Sequence, residues 1–265
     1  MKNILVFITH ATLGLEHADL CIEHLGKSVD PLVFDKMIVY NTHQHELSNE
    51  KITELITKHK ILDRICKEIS LFDYNESTPK TLGHDCINIF NFLLNNYSMT
   101  DRVLILKSDI MISVNLLSEL RDIQSSLKQT FILTPPFITA KERVSNDEIR
   151  EYCSRTSIVL SDEKTFFDED CNGGETDHGK RNPLDKDIKF ISCTGKIDFS
   201  CHYMSLDLSL VMTVHSKTWG GVNFESCRDF WVGTEKSFTV HKYHSIVSEN
   251  RVGEREGPIE RYFKS

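Results

Sequence analysis

The sequence has few of the features that mark membrane, secreted or nucleic-acid-binding proteins. It contains no run of about 18 apolar residues, the length that a transmembrane helix needs. The first ten residues, MKNILVFITH, have too short an apolar run and no small-residue cleavage site for a secretory signal, so they predict a first β-strand. The formal net charge of -8 argues against non-specific binding to nucleic acid.

Disulfide and zinc motifs are also missing. Eight cysteines are present, but none forms a Cys-x-x-Cys pair and most lie inside apolar runs. Scattered cysteines of this kind are typical of reduced thiols in a protein core. Only three alanines occur, while Ile, Asn, Lys and Ser are frequent, which indicates an AT-rich genome. We therefore expect a protein of the cytoplasm, or of the host cytoplasm if the gene belongs to a large AT-rich virus.

The first 135 residues alternate between short apolar runs and stretches with helical spacing. Strands are predicted at 4–9, 36–40, 64–72, 102–106 and 130–134, and helices at 17–25, 48–58, 81–97 and 114–127. Ser48 is the expected N-cap of the second helix. Strands separated by helices predict an α/β fold with a mainly parallel central sheet and helices on both faces. Ligands of such sheets bind beyond the carboxyl ends of the strands.

The second half has a different pattern. Residues 168–187, DEDCNGGETDHGKRNPLDKD, contain almost nothing apolar and predict a mobile loop. This loop is either a lid over a site or an insertion without a role. Beyond it, strands are expected at 190–193 and 208–214.

The segment RVLILKSDIMIS, residues 102–113, is the first that could carry chemistry. Its strand is apolar on both faces, as in a central parallel strand, and it brings Lys107, Ser108 and Asp109 to the strand end. A carboxylate there can hold a divalent cation that bridges two phosphates. The alternative is that Asp109 only caps the following helix.

Residues 218–225, TWGGVNFE, form the second candidate segment. The paired glycines Gly220 and Gly221 allow a close backbone approach, and Trp219 can stack on the apolar face of a sugar ring. Glu225, or Asp229 as its replacement, can take a proton from a hydroxyl group. The alternative is a Gly-Gly turn beside a core tryptophan.

Two late histidines, His241 and His244, are candidate metal ligands. Alternation along a strand would put them on opposite faces. An imidazole ligand favours Mn²⁺ over Mg²⁺. Two histidines three residues apart also occur by chance, so an ordinary surface or core histidine is the alternative for each.

These segments together resemble the GT-A glycosyltransferases. Lys107-Ser108-Asp109 is similar to their Asp-x-Asp triplet, with Lys107 in place of the first acid. Residues 219–225 resemble the Trp-Gly-Gly-Glu-Asn/Asp-x-Glu stretch of galactosyl- and N-acetylgalactosaminyltransferases, with Val222 in place of the first acid. The resemblance implies one GT-A-like domain over 1–265. Residues 1–135 would form its nucleotide-sugar half and 136–265 a C-terminal elaboration on the acceptor side.

The resemblance also implies a reaction and its ligands. A hexosyl or pentosyl group would pass from a UDP- or GDP-linked donor to a glycan or other hydroxyl acceptor, assisted by Mn²⁺ or Mg²⁺. The implied donor-binding residues are Thr9, His10, Ala11, Asn41, Asp73, Lys80, Lys107, Ser108 and Asp109. The implied acceptor-binding residues are Trp219, Gly220 and Gly221, the metal ligands Asp109, His241 and His244, and the catalytic residues Glu225 and Asp229.

Two other functions fit the same pattern of elements. A nucleotidyltransferase shares the architecture, but that class carries a Gly-rich, basic phosphate loop after the first strand. Residues 9–15 contain one Gly and no Lys or Arg. A non-catalytic sugar-binding relic of the fold is favoured by the acids missing at positions 107 and 222.

Overall fold

The structure, a computed structural model, describes residues 1–9, 14–41, 48–72, 82–140, 144–155, 165–166, 190–193, 201–210 and 225–242. The strands are β1 (Asn3–Thr9), β2 (Lys36–Asn41), β3 (Ile69–Phe72), β4 (Arg102–Lys107), β5 (Ile110–Ile112), β6 (Ile132–Thr134), β7 (Phe137–Ala140), β8 (Thr165–Phe166), β9 (Phe190–Cys193), β10 (Cys201–Ser205), β11 (Trp231–Gly233) and β12 (Thr239–Lys242). The helices are α1 (Gly14–Lys27), α2 (Asn49–Lys58), α3 (Ile61–Arg64), α4 (Leu82–Asn96), α5 (Leu116–Ile123) and α6 (Asn146–Cys153).

A seven-stranded sheet forms the centre of the fold, in the order β11-β6-β10-β4-β1-β2-β3. Neighbouring strands from β4 to β3 are parallel, and β10 runs antiparallel between β4 and β6. Every residue of β4 is buried, because its side chains are covered on both faces. The expected mainly parallel α/β sheet is confirmed.

Helices cover both faces of this sheet, as expected. Leu5 and Phe7 of β1 belong to one hydrophobic cluster together with residues of α1, α2 and α5. Ile4 and Val6, which point the other way along the same strand, belong to a second cluster with residues of α4.

A second, five-stranded sheet has the strand order β5-β12-β7-β9-β8. The two-residue turn Ser108-Asp109 connects β4 of the first sheet to β5 of the second. Strand β12 lies between β5, to which it is antiparallel, and β7, to which it is parallel. The apolar side chains of β5, β7 and β12 pack with α1 and α6 in a third cluster.

Most boundaries in the first half agree with the sequence. Ser48 is the N-cap of α2, and its Oγ accepts a hydrogen bond from the backbone N–H of Lys51 at 3.3 Å. The predicted third strand, 64–72, was too long, because Arg64 ends helix α3 and strand β3 begins only at Ile69. Lys60 is the N-cap of that helix, with φ 54°, and Ile61 and Ile65 are buried in the cluster of α1 and α2.

In the second half, strand β9 is confirmed at 190–193, but the strand predicted at 208–214 is wrong for its described part. Residues 208–210 are helical and follow a turn in which Ser209 N–H donates to Leu206 O at 3.1 Å. The strand beside β4 is instead β10, whose sequence CHYMS has little strand character. It is a strand because it pairs on both sides, with β4 and β6. The loop predicted at 168–187 lies outside the described residues.

Within the described residues, no helix has both the length and the apolar character needed to cross a bilayer.

Candidate active site

Three parallel strands end at the same edge of the main sheet and bring polar side chains there. Thr9, the last residue of β1, is paired in register with Asn41, the last residue of β2. On the other side of β1, Ile8 is paired with Lys107, the last residue of β4. The three end residues Thr9, Asn41 and Lys107 are buried although all are polar. This is the edge at which parallel α/β sheets bind ligands.

Hydrogen bonds hold the side chain of Asn41 in one orientation. Thr9 Oγ1 donates to Asn41 Oδ1 at 2.9 Å, and Asn41 Nδ2 donates to Asn49 Oδ1 at 3.1 Å. Asn49 is the first residue of α2, and nothing in the sequence marked it as part of the site. The pair of contacts therefore ties the ends of β1 and β2 to the start of a helix.

The carboxylate of Asp109 lies between a lysine and a histidine. Its Oδ2 is 3.4 Å from Lys107 Nζ and 3.5 Å from His241 Nε2. Asp109 is 3% exposed, so its charge is poorly solvated, and the Lys107 ammonium lies beside it. The antiparallel pairing of β12 with β5 brings His241 to this place, since it sets His241 opposite Ile110.

The backbone around Asp109 is held from two directions. Ser108 N–H donates to Ile8 O of β1 at 2.8 Å. Cys21 Sγ, from helix α1, donates to Ile110 O at 2.8 Å. Burial, with the nearby charge of Asp109, raises the pKa of the Cys21 thiol well above its usual range, so the thiol keeps the proton that it donates. Cys21 is thus a buried reduced thiol, as the sequence predicted, with an added role as a donor.

The two donor atoms of Asp109 and His241 fit a divalent cation. Two neighbouring ligands at bond lengths near 2.1 Å lie about 3.0–3.5 Å apart, and Asp109 Oδ2 and His241 Nε2 are 3.5 Å apart. A carboxylate oxygen with an imidazole nitrogen suits Mn²⁺ better than Mg²⁺. The described part of the chain contains no group of three His, Cys, Asp or Glu side chains that could hold a metal ion.

Several of the predicted site residues lie outside the described residues: His10, Ala11, Asp73, Lys80, Trp219, Gly220, Gly221 and His244. Glu225 begins a 3-10 helix, Glu225–Phe230. Asp229 of the same helix is exposed. The following strand β11 lies three strand spacings from β4, about 14 Å across the sheet. The proposed roles of these residues stay predictions.

Trp231 is the most exposed aromatic side chain among the described residues. It is 51% exposed, and its Nε1 donates to Thr134 Oγ1 at 3.2 Å. Thr134 ends β6, which runs parallel to β4 and therefore ends at the same edge of the sheet. An indole held by its N–H and exposed on its ring can stack against an apolar face of a ligand.

Comparison with known proteins gives a fold and no family. No protein-family model and no curated protein sequence matches the chain. Among solved structures, GalNAc-T7 with UDP, GalNAc and Mn²⁺ is 10% identical, with a TM-score of 0.52 over 92% of this chain and 44% of that chain. At this level the chain shares the GT-A-like α/β fold of that protein.

Two further structures are similar at lower TM-scores. The mannosyltransferase PcManGT from Pyrobaculum calidifontis, in complex with GDP-Man and Mn²⁺, is 8% identical, with a TM-score of 0.47 over 98% of this chain and 63% of that chain. S. aureus TarS 1-349 in complex with UDP is 17% identical, with a TM-score of 0.36 over 55% of this chain and 38% of that chain. The chain thus spans less than two thirds of the length of each of these three structures.

Proposed function

We propose that this protein is a glycosyltransferase that moves a sugar from a nucleoside-diphosphate donor to a hydroxyl acceptor. The observation that carries the proposal is the position of Asp109, buried between Lys107 and His241 at the carboxyl edge of a GT-A-like sheet. This group combines a carboxylate, an ammonium and an imidazole, which are the groups needed to bind a diphosphate with a divalent cation.

The donor would lie across the ends of β1, β2 and β4. Thr9 and Asn41 would bind the nucleoside, because their side chains are fixed and polar at the two strand ends. Ser108 and Lys107 would face the diphosphate. His10, Ala11, Asp73 and Lys80 would complete the donor site, as their places after the first and third strands predict. UDP is the first donor nucleotide to test, since GalNAc-T7 is a structure with UDP.

Asp109 and His241 would hold Mn²⁺, or less favourably Mg²⁺, with His244 as the alternative histidine. When bound, the cation would supply positive charge to the leaving diphosphate. His241 would keep its neutral ring nitrogen directed at the cation, and Asp109 would supply the oxygen ligand at the same point.

The acceptor would bind to the half formed by 136–265. Trp219, Gly220 and Gly221 would contact it. If the reaction inverts the configuration of the sugar, Glu225 would take the proton of the acceptor hydroxyl, with Asp229 as the second candidate. A retaining reaction would not need a strong base at either position.

Calorimetry with UDP- and GDP-sugars, each with and without Mn²⁺, tests this proposal. We expect one donor to bind more tightly with Mn²⁺, and Asp109→Ala to abolish both this gain and sugar transfer. If Asp109→Ala leaves donor affinity unchanged and the wild-type protein transfers no sugar, the chain is a sugar-binding relic of the fold. Release of pyrophosphate from a nucleoside triphosphate and a sugar phosphate would instead indicate a nucleotidyltransferase.

A further inference from the structure

Asp109 already has a positive partner before any cation binds. Lys107 Nζ lies 3.4 Å from Asp109 Oδ2, and the same oxygen faces His241 Nε2 at 3.5 Å. The exposed fraction is 11% for the Lys107 side chain and 5% for that of Asp109, so water screens this ion pair weakly. The lysine therefore neutralises the carboxylate that a metal ion would use.

An ammonium and a divalent cation would repel each other at this oxygen. With Nζ 3.4 Å from Oδ2, a cation bonded to Oδ2 at about 2.1 Å would be no more than about 5.5 Å from Nζ, in whatever direction it lay. Two positive charges at that separation repel strongly where solvent is sparse. Cation binding thus favours movement of the Lys107 ammonium away from Asp109.

Only the side chain of Lys107 would need to move, and not its backbone. Hydrogen bonds fix the main chain around Asp109, because Ser108 N–H donates to Ile8 O and Cys21 Sγ donates to Ile110 O. A lysine carries its charge on a flexible four-carbon stem, which allows the ammonium to change partner while the backbone stays in place. The proposed function would supply a partner at this edge of the sheet, the diphosphate of a donor.

We infer that Lys107 is an exchangeable counter-ion of Asp109. Without a donor, its ammonium neutralises Asp109 and opposes the binding of a divalent cation. When a cation and a nucleoside diphosphate bind together, the ammonium moves to the diphosphate and leaves Asp109 to the cation. The second half of this inference rests on the proposed function; the first half concerns this chain and the metal alone. Cation and nucleotide should therefore bind cooperatively.

The affinity of the protein for Mn²⁺ alone, followed by electron paramagnetic resonance of the free ion, tests the first half. The variants are Lys107→Met and Lys107→Gln, which remove the charge, and Lys107→Arg, which keeps it as the matched control. We expect both neutral variants to bind Mn²⁺ at least tenfold more tightly than the wild-type protein, and Lys107→Arg to bind it as weakly as the wild type does. Asp109→Asn should remove the gain when combined with Lys107→Met.

Repeating the titrations in the presence of UDP tests the second half. The wild-type protein should gain at least tenfold in Mn²⁺ affinity, while the neutral variants should gain less and bind UDP more weakly. Thermal unfolding of each variant checks that it is folded, and the two neutral variants differ in polarity so that a folding defect in one leaves the other to measure.

Unchanged Mn²⁺ affinity in a folded neutral variant would overturn the inference. Tighter Mn²⁺ binding by these variants, with no binding of UDP or GDP to any form of the protein, would support the counter-ion role and overturn the proposed function. The two failures are therefore distinguishable.

Discussion

The imidazole of His241 is stacked on the ring of Phe137, with 5.8 Å between the ring centroids and 26° between the ring planes. Phe137 begins β7, and the parallel pairing of β7 with β12 brings the two rings side by side. The stack limits rotation of the imidazole while its Nε2 faces Asp109 at 3.5 Å. Phe137 therefore orients a proposed metal ligand without being one.

Replacing the ring of Phe137 should weaken metal binding more than it weakens the fold. Phe137→Leu removes the stack, so we expect a few-fold loss of Mn²⁺ affinity measured with UDP present, and a loss of unfolding free energy of about 1 kcal/mol. Phe137→Tyr keeps a stacked ring and is the control. Equal Mn²⁺ affinity in the Leu and Tyr variants would show that the stack does not position His241.

The two candidate bases can be separated by isosteric substitution. Glu225→Gln should lower kcat by about 10²–10⁴-fold if the acceptor hydroxyl loses its proton to this carboxylate. Asp229→Asn lies in the same 3-10 helix and is the matched control, for which we expect near wild-type turnover. The opposite ranking in steady-state assays would transfer the role to Asp229, and full activity of both variants would favour a retaining reaction.

The orientation of Asn41 should matter for nucleotide binding. Asn49→Ala removes the hydrogen bond from Asn41 Nδ2 to Asn49 Oδ1, and the net loss of such a bond costs about 0.5–1.5 kcal/mol. We expect a several-fold loss of UDP affinity by calorimetry. Thr57→Ala is the control, because Thr57 is exposed on the same helix α2 and its Oγ1 donates to Thr53 O within that helix at 2.8 Å. Equal losses in both variants would assign the effect to helix stability.

Buried His24 should make the fold sensitive to acid. It is 0% exposed, and neither ring nitrogen has a hydrogen-bond partner among the described residues. Burial, aided by the nearby charge of Lys27, lowers the pKa of His24 to about 4 from its ordinary 6.5. The unfolded chain binds a proton near pH 6.5 that the folded chain rejects until about pH 4, so stability falls as pH drops through this window.

The loss from this one group is about 3 kcal/mol across the window. We expect His24→Leu to flatten the fall in unfolding free energy between pH 6.5 and 4, measured by urea denaturation. At pH 7.5 His24 is neutral in both the folded and the unfolded state. A difference in unfolding free energy between the wild-type protein and His24→Leu at this pH therefore measures packing and not charge. A pH profile identical to the wild type would exclude His24 as the cause.

The sequence predicted the parts of the fold that depend on local patterns. Strands β1 and β4 could be identified because their residues are apolar on both faces, and α2 because Ser48 marks its start. Strand β10 could not, since Cys, His and Ser in CHYMS give no strand signal and only its two antiparallel neighbours make it one. Pairing between distant segments is the part of the fold that local patterns do not contain.

The candidate site divides in the same way. Lys107 and Asp109 were predicted together because they end a central strand. The approach of His241 to Asp109 depends on β12 pairing with β5, more than a hundred residues away along the chain. Asn49 carried no signal in the sequence, because its role depends on the contact between the last residue of β2, Asn41, and the first residue of α2, Asn49.

The turn Ser108-Asp109 connects the two sheets, so the side chains around Asp109 are positioned by two different sheets. Lys107 belongs to the seven-stranded sheet and His241 to the five-stranded one. The second sheet has fewer strands and is edged by the two-residue strand β8, so it should open at lower temperature than the first. On warming, hydrogen exchange would then rise first around His241 while Thr9 and Asn41 remain protected. The proposed metal ligand His241 would then become mobile before the proposed nucleotide-binding residues Thr9 and Asn41.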